Sequence, residues 1–245
     1  PILERIETTQ NKQAVTPEPR PQPDPVAELL SQLDDKQKLS QLIAYPVLVS
    51  ELIGESEQAQ ATESTEPELN LEKELAQLQP GVITFFGENI STSSAQLAIE
   101  KVDQVFKEKQ LKPLTAVDHE GGPVQRFGGE GFTELPAMRS ACNRGVIDLR
   151  ALYQQSAQEL RQQGINIVFA PVVDVARTNS FLESRACTDS NEVVQTASVF
   201  IESFGKNQIM PVIKHYPGIG PVSRDLHNEQ AAVSLESRDT TVFRR

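Results

Sequence analysis

The chain contains three histidines, and all three fall in two short irregular stretches. His119 lies in AVDHEGGPVQRF, residues 116–127; His215 and His227 lie in KHYPGIGPVSRDLH, residues 214–227. In the second stretch Asp225 and His227 stand at i and i+2, an arrangement in which a carboxylate can orient an imidazole for proton transfer. Lys214 and His215 open that stretch, and Pro217, Gly218 and Gly220 set an irregular path between the two groups. In the first stretch Asp118 and Glu120 precede Gly121 and Gly122, which let the backbone turn sharply and bring Arg126 towards the same pocket. A third stretch, VFAPVVDVARTNSFLESRACTD, places Asp174 beyond Pro171 and Arg185 in a loop of small polar residues. Each has a plainer reading: Asp with Gly-Gly can be only a turn, and Arg185 only a solvated side chain. Carboxylates, cations and histidines gathered in three loops favour a polar ligand.

Several chemistries lack their signatures. No GxSxG supplies a nucleophilic serine for a triad. His215 and His227 have neither HExxH spacing nor cysteine support, so no metal site is expected. No GxGxxG or GxxxxGK[ST] is present, so neither a nucleotide nor any other cofactor is expected. Cys142 and Cys187 lie far apart without CxxC or a neighbouring histidine and read as ordinary half-buried thiols. A net charge of −11 argues against nucleic acid as a partner, because phosphate binding needs clustered Lys and Arg. No run approaches the roughly 18 apolar residues of a membrane-spanning helix.

The elements that must position these residues follow a repeating pattern. Apolar, strand-like runs occur at AYPVLV, at GVITFF (Gly81–Phe86), LTAV (Leu114–Val117), INIVFA (Ile165–Ala170) and IMPVI (Ile209–Ile213). Between them SSAQLAIEKVDQVFKEKQ, LRALYQQSAQELRQQG and SNEVVQTASVFIESFGKN have helical spacing, with Gly164 and Gly205 where C-caps belong. Strands apolar throughout, alternating with helices, predict a covered parallel sheet. The polar residues crowd at one end of it: Asn89 after the second strand, Asp118 and Glu120 after the third, Asp174 and Arg185 after the fourth, Lys214 and His215 after the fifth. One-sided placement is expected of a (β/α) barrel, and a doubly wound sheet would also place ligands there.

Upstream, residues 1–25 hold six of the sixteen prolines and predict a disordered, Pro-rich leader or linker, with order beginning near Val26. VAELLSQLDDKQKLSQLI reads as two helices, the second capped by Asp34 or Asp35. Residues 51–79 read as a Glu-rich helical insertion with a flexible first half. The leader tips the expected location towards the cell envelope.

Four motifs, in order, carry a resemblance. AVDHEGGPVQRF, GFTELPAMR, GINIVFAPVVDV and KHYPGIGPVSRDLH resemble the bacterial β-N-acetylglucosaminidase branch of glycoside hydrolase family 3, over about Val26 to the end. The first is similar to that branch's D-Q-E-G-G-R-V-x-R, and the last to K-H-F-P-G-H-G-x-x-x-x-D-S-H. The resemblance implies a (β/α)8 TIM-type barrel that removes terminal β-linked N-acetylglucosamine from glycans such as peptidoglycan fragments, with retention. It implies His227 as general acid/base with Asp225 modulating it, and Asp118, Arg126, Arg185, Lys214 and His215 as sugar-binding residues. His119 replaces a usual Gln, Pro123 an Arg, Ile219 the His of GHG, and Leu226 the Ser between Asp and His.

Counting AYPVLV as the first strand, about the first five β/α units are present in residues 26–245, whereas a closed barrel has eight. Retention requires a carboxylate nucleophile, which the resemblance places after a later strand, beyond Arg245. Two other functions stay open: a family 3 β-glucosidase, and a catalytically silent glycan-binding member.

Overall fold

A computed structural model describes residues 24–54 and 71–245. The expected leader, up to residue 23, and the first half of the Glu-rich insertion, residues 55–70, lie outside the described residues.

The chain divides at Lys38–Leu39 into two compact units. The first carries helix α1 (Pro25–Gln32), whose N-terminus is capped by Asp24 accepting from the Val26 N–H at 2.9 Å, with proline at the first helical position. Asp34 Oδ1 accepts from the Gln37 N–H at 2.7 Å and Gln37 Oε1 from the Asp34 N–H at 3.0 Å. This reciprocal cap starts α2 (Asp35–Ser40), so Asp34 is the capping residue of the two considered.

The second unit is built on five parallel strands: β1 (Ala44–Leu48), β2 (Val82–Phe86), β3 (Leu114–Val117), β6 (Ile167–Val168) and β7 (Met210–Pro211). A two-stranded antiparallel hairpin, β4 (His119–Gly121) and β5 (Val124–Gln125), follows β3 directly. Helices α3 (Val49–Ile53), α4 (Leu71–Leu78), α5 (Thr92–Phe106), α6 (Met138–Ala141), α7 (Val146–Gln162) and α8 (Ser190–Lys206) fill the connections. A short α9 (Ser237–Thr241) and a 3-10 turn, Val242–Arg244, end the chain.

Strand order in the sheet, β1-β2-β3-β6-β7, is the order in the chain, without the reversal that marks a doubly wound sheet. The sheet is therefore an arc of a (β/α) barrel, with β1 and β7 at its two edges. It is not closed. Ile83 and Phe85, two residues apart on one face of β2, join Val47, Val117 and Val168 in a continuous core with α3, α4, α5, α7 and α8. Within that core Tyr153 of α7 meets the Phe200 ring edge-on at 4.9 Å, and Phe200 stacks on Phe204 at 4.0 Å.

Two readings need correction. Gly164, at φ +85°, does end α7, but Gly205 lies inside the last turn of α8. Asn207 caps that helix and Gln208, at φ +60°, takes the left-handed position. Cys142 and Cys187 are not thiols. They form a disulfide, Cα atoms 6.3 Å apart, joining the end of α6 to the segment just past Arg185. No local spacing signals such a pair, because only packing of the third connection brings the two segments together.

Candidate active site

Prolines shape the last two strands. Pro211 lies in the edge strand β7, where the Met210 and Val212 N–H groups on either side donate to the Asn166 and Val168 carbonyls, so the N–H it lacks faces the open edge. β6 and β7 pair over two residues each, and Pro171 follows β6. Pairing resumes beyond them: the Val173 N–H donates to the Lys214 carbonyl at 2.8 Å, and Val172 bridges Lys214. This second contact sets Asp174 beside His215, past the strands' C-terminal ends.

The hairpin after β3 returns Arg126 to Asp118, the Arg126 N–H donating to the Asp118 carbonyl at 3.1 Å. Its turn needs glycine. Gly121 and Gly122 have φ of +89° and +58°, and a Cβ on Gly121 would lie 2.4 Å from the Pro136 carbonyl oxygen.

Asp118, Glu120, Arg126, Arg185, Lys214, His215 and His227 line one cavity of about 280 Å³, with Val124, Phe169 and Val212 as its apolar wall. Glu120 is its electrostatic centre. Arg185 grips it through two bonds, Nε to Oε2 at 2.9 Å and Nη2 to Oε1 at 2.7 Å, and Lys214 Nζ lies 2.6 Å from Oε1. Lys214 also donates to Asp118 Oδ1 at 2.7 Å. Burial opposes the charge on Arg185, yet its bond to Glu120 and the neighbouring carboxylates outweigh this and raise its pKa. Arg126 lines the same cavity, and its Nε is buried with no hydrogen-bond partner among the described residues.

His215 is held from behind. Asp174, fully buried, accepts from His215 Nδ1 at 2.7 Å, from the His215 N–H at 2.9 Å and from the Ile219 N–H at 2.7 Å. Ile219 packs against Val172, Ala176, Leu182 and Ala186, so an apolar residue suits this position. Gly220 closes the turn where a Cβ would lie 2.1 Å from the Val175 carbonyl oxygen. Arg177 and Phe181 N–H groups bond the Gly220 and Val222 carbonyls, fastening the loop up to residue 222.

Beyond that anchor the loop is exposed. Asp225 Oδ1 accepts from His227 Nδ1 at 2.6 Å and from the His227 N–H at 3.0 Å. Those two bonds, the backbone one first, lower the Asp225 pKa. The His227 side chain, 81% exposed, stands at the cavity mouth.

All seven residues expected from the sequence are thus brought together, Asp225 through its bond to His227. Asn89 is not among them; it occupies an exposed turn at φ +50° away from the cavity. His119 also turns away. Its ring is buried, Nε2 bonding Ser156 Oγ at 2.7 Å, and burial lowers its pKa to about 3. Glu120 as a bridge and Asp174 as a backing group were not assigned by sequence reasoning. The signal for Glu120 was its strand-end position beside Asp118; for Asp174 there was only its place beyond Pro171. Among the described residues no group of three or more His, Cys, Asp or Glu could hold a metal ion, and no helix is long and apolar enough to cross a membrane.

The model of the family described as glycosyl hydrolase family 3 N terminal domain matches residues 35–244. A beta-hexosaminidase from Tolumonas auensis is 34% identical over 173 residues, 67% of this chain and 51% of that protein. A beta-hexosaminidase from Xylella fastidiosa strain M23 is 33% identical over 164 residues, 61% of this chain and 49% of that protein. Among solved structures, NagZ from Neisseria gonorrhoeae in complex with N-trifluoroacetyl-D-glucosamine superposes with a TM-score of 0.62 at 25% identity, covering 75% of this chain and 57% of that one. The chain spans about half the length of the curated relatives it matches.

Proposed function

The chain belongs to glycosyl hydrolase family 3, and from that premise we propose that it forms the sugar-gripping and proton-transferring part of an exo-acting, retaining β-N-acetylglucosaminidase. One observation carries the reading. His227, its Nδ1 bonded to Asp225, lines the same cavity as Asp118, Arg126, Arg185, Lys214 and His215. Ionised Asp225 is acceptor-only and holds the proton on Nδ1, so Nε2 is the nitrogen that exchanges a proton with the glycosidic oxygen. Mixed carboxylates, guanidinium and ammonium groups suit the hydroxyls and acetamide of one sugar. A cavity of about 280 Å³ is at the small end of ligand pockets, which suits a single terminal residue. The relatives' name, beta-hexosaminidase, supports the substrate class. Peptidoglycan fragments are the natural glycan we propose, and the disulfide fits the oxidising cell envelope.

A second reading has its own support. Asp118 and Glu120 are both held by cations, an arrangement that grips a sugar without need of any bond-breaking step. A silent glycan-binding protein would keep such a cavity. Aryl β-N-acetylglucosaminide and aryl β-glucoside offered to the full-length protein separate the readings. Turnover of the first alone is expected. Turnover of neither, with N-acetylglucosamine still bound, selects the silent reading, and preference for the glucoside contradicts the substrate assignment.

A further inference from the structure

We propose that Asp174 is a positioning residue that presents His215 to the sugar; the inference rests on the sugar-site reading above. The chain contains two Asp–His pairs at this cavity, and they differ in origin and burial. Asp225–His227 is local in sequence and exposed, whereas Asp174–His215 is assembled across β6 and β7 around a carboxylate with no exposed side-chain surface.

A buried carboxylate must be compensated. Among the described residues no Lys or Arg forms an ion pair with Asp174; Arg185 attracts it without direct contact, and its hydrogen-bond partners are three donors, all from residues 215–219. Oδ2 accepts from both the main chain and the ring of His215, and Oδ1 accepts from the Ile219 N–H. Three donors require a group that only accepts, which an ionised Asp is and an Asn is not. Asp174 therefore keeps the proton on His215 Nδ1 and leaves Nε2, at the far edge of the ring, for the cavity that His215 lines. The main-chain bond at the same residue holds the ring's backbone in place, so position and tautomer are fixed by one side chain. The bond to Ile219 fixes the turn from which the loop towards Asp225 and His227 departs.

Two measurements on the full-length protein test this. Long-range 1H–15N correlation spectra of the histidine rings should show neutral His215 protonated on Nδ1; a proton on Nε2 overturns the proposal without reference to any substrate. Calorimetric titration with N-acetylglucosamine should show Asp174→Asn weakening binding about tenfold, and less than about twofold once His215→Gln is present. Equal losses in both backgrounds would make Asp174 a general structural residue and overturn the positioning role. If Asp174→Asn does not fold, the wild-type tautomer decides. Absence of sugar binding by the wild type contradicts the sugar-site reading instead, and the tautomer still reports on Asp174.

Discussion

Lys214 Nζ lies 2.6 Å from Glu120 Oε1, and Arg185 closes on the same carboxylate through both its oxygens. With side chains 2%, 15% and 17% exposed for Glu120, Arg185 and Lys214, this is a nearly dry cluster in which one anion holds two cations in place. Removing it leaves Arg185 without its carboxylate and Lys214 with Asp118 alone. Glu120→Ala should destabilise the fold by about 3 kcal/mol, the order seen when one partner of a buried pair is deleted. It should also weaken N-acetylglucosamine binding by more than tenfold, because Arg185 and Lys214 lose their common anchor. Thermal unfolding and titration calorimetry check both; an unchanged affinity would show that the cations are oriented by other groups.

His119 gives the protein an acid weakness. Its pKa falls from 6.5 to about 3 on folding because its ring is buried. Below pH 6.5 the unfolded chain takes up a proton that the folded chain refuses, so stability falls by up to about 1.4 kcal/mol per pH unit down to about pH 3. Above 6.5 the ring is neutral in both states and this contribution is level. His119→Gln, which keeps a polar group for Ser156, should flatten the stability profile between pH 6 and about 4, measured by urea unfolding at each pH. A slope unchanged by the substitution would assign the acid sensitivity elsewhere.

The Cys142–Cys187 bridge closes a 45-residue separation and ends two residues from Arg185. Replacing both cysteines by alanine should cost about 2–4 kcal/mol and make unfolding indifferent to reductant. Sugar affinity should fall as well, since the Arg185 loop loses its pin. Wild-type unfolding temperatures that do not respond to reductant would contradict the structural role.

Two glycines predict opposite outcomes. Gly220→Ala forces a Cβ to 2.1 Å from the Val175 carbonyl oxygen, a main-chain atom that cannot swing aside. The loop must shift, at a cost of about 1–3 kcal/mol and with a loss of turnover. Gly205→Ala meets nothing within 4 Å inside α8 and should stabilise by about 0.5–1 kcal/mol with turnover unchanged. Paired melting curves and initial rates read both.

What could be read in the sequence was whatever is encoded locally. The strand runs were visible because they are apolar on both faces, and the order of β1, β2, β3, β6 and β7 follows the chain. Asp225 and His227 were visible because two residues of spacing suffice to join them. Gly164 matched a C-cap, but Gly205 did not, since a glycine in the last turn is also tolerated where nothing crowds it. The disulfide, the three donors on Asp174 and the bridge at Glu120 depend on segments far apart in the chain. Residue types alone cannot register them, because each partner taken singly has an ordinary solvated or core alternative. His119 shows the reverse error: a histidine grouped with the site by sequence proximity whose ring belongs to the core.

His227, steadied by Asp225, is proposed to supply the proton to the departing glycosidic oxygen. A general acid matters in proportion to how badly the leaving group needs a proton. Rates of the full-length protein and of His227→Ala should therefore be compared on β-N-acetylglucosaminides with a poor alkyl leaving group and with an activated dinitrophenyl one. The expected result is a loss of about 10²–10⁴-fold on the poor leaving group and a far smaller loss in glycosyl transfer from the activated one. Equal losses on both, or none on the poor leaving group, would contradict the assignment of His227.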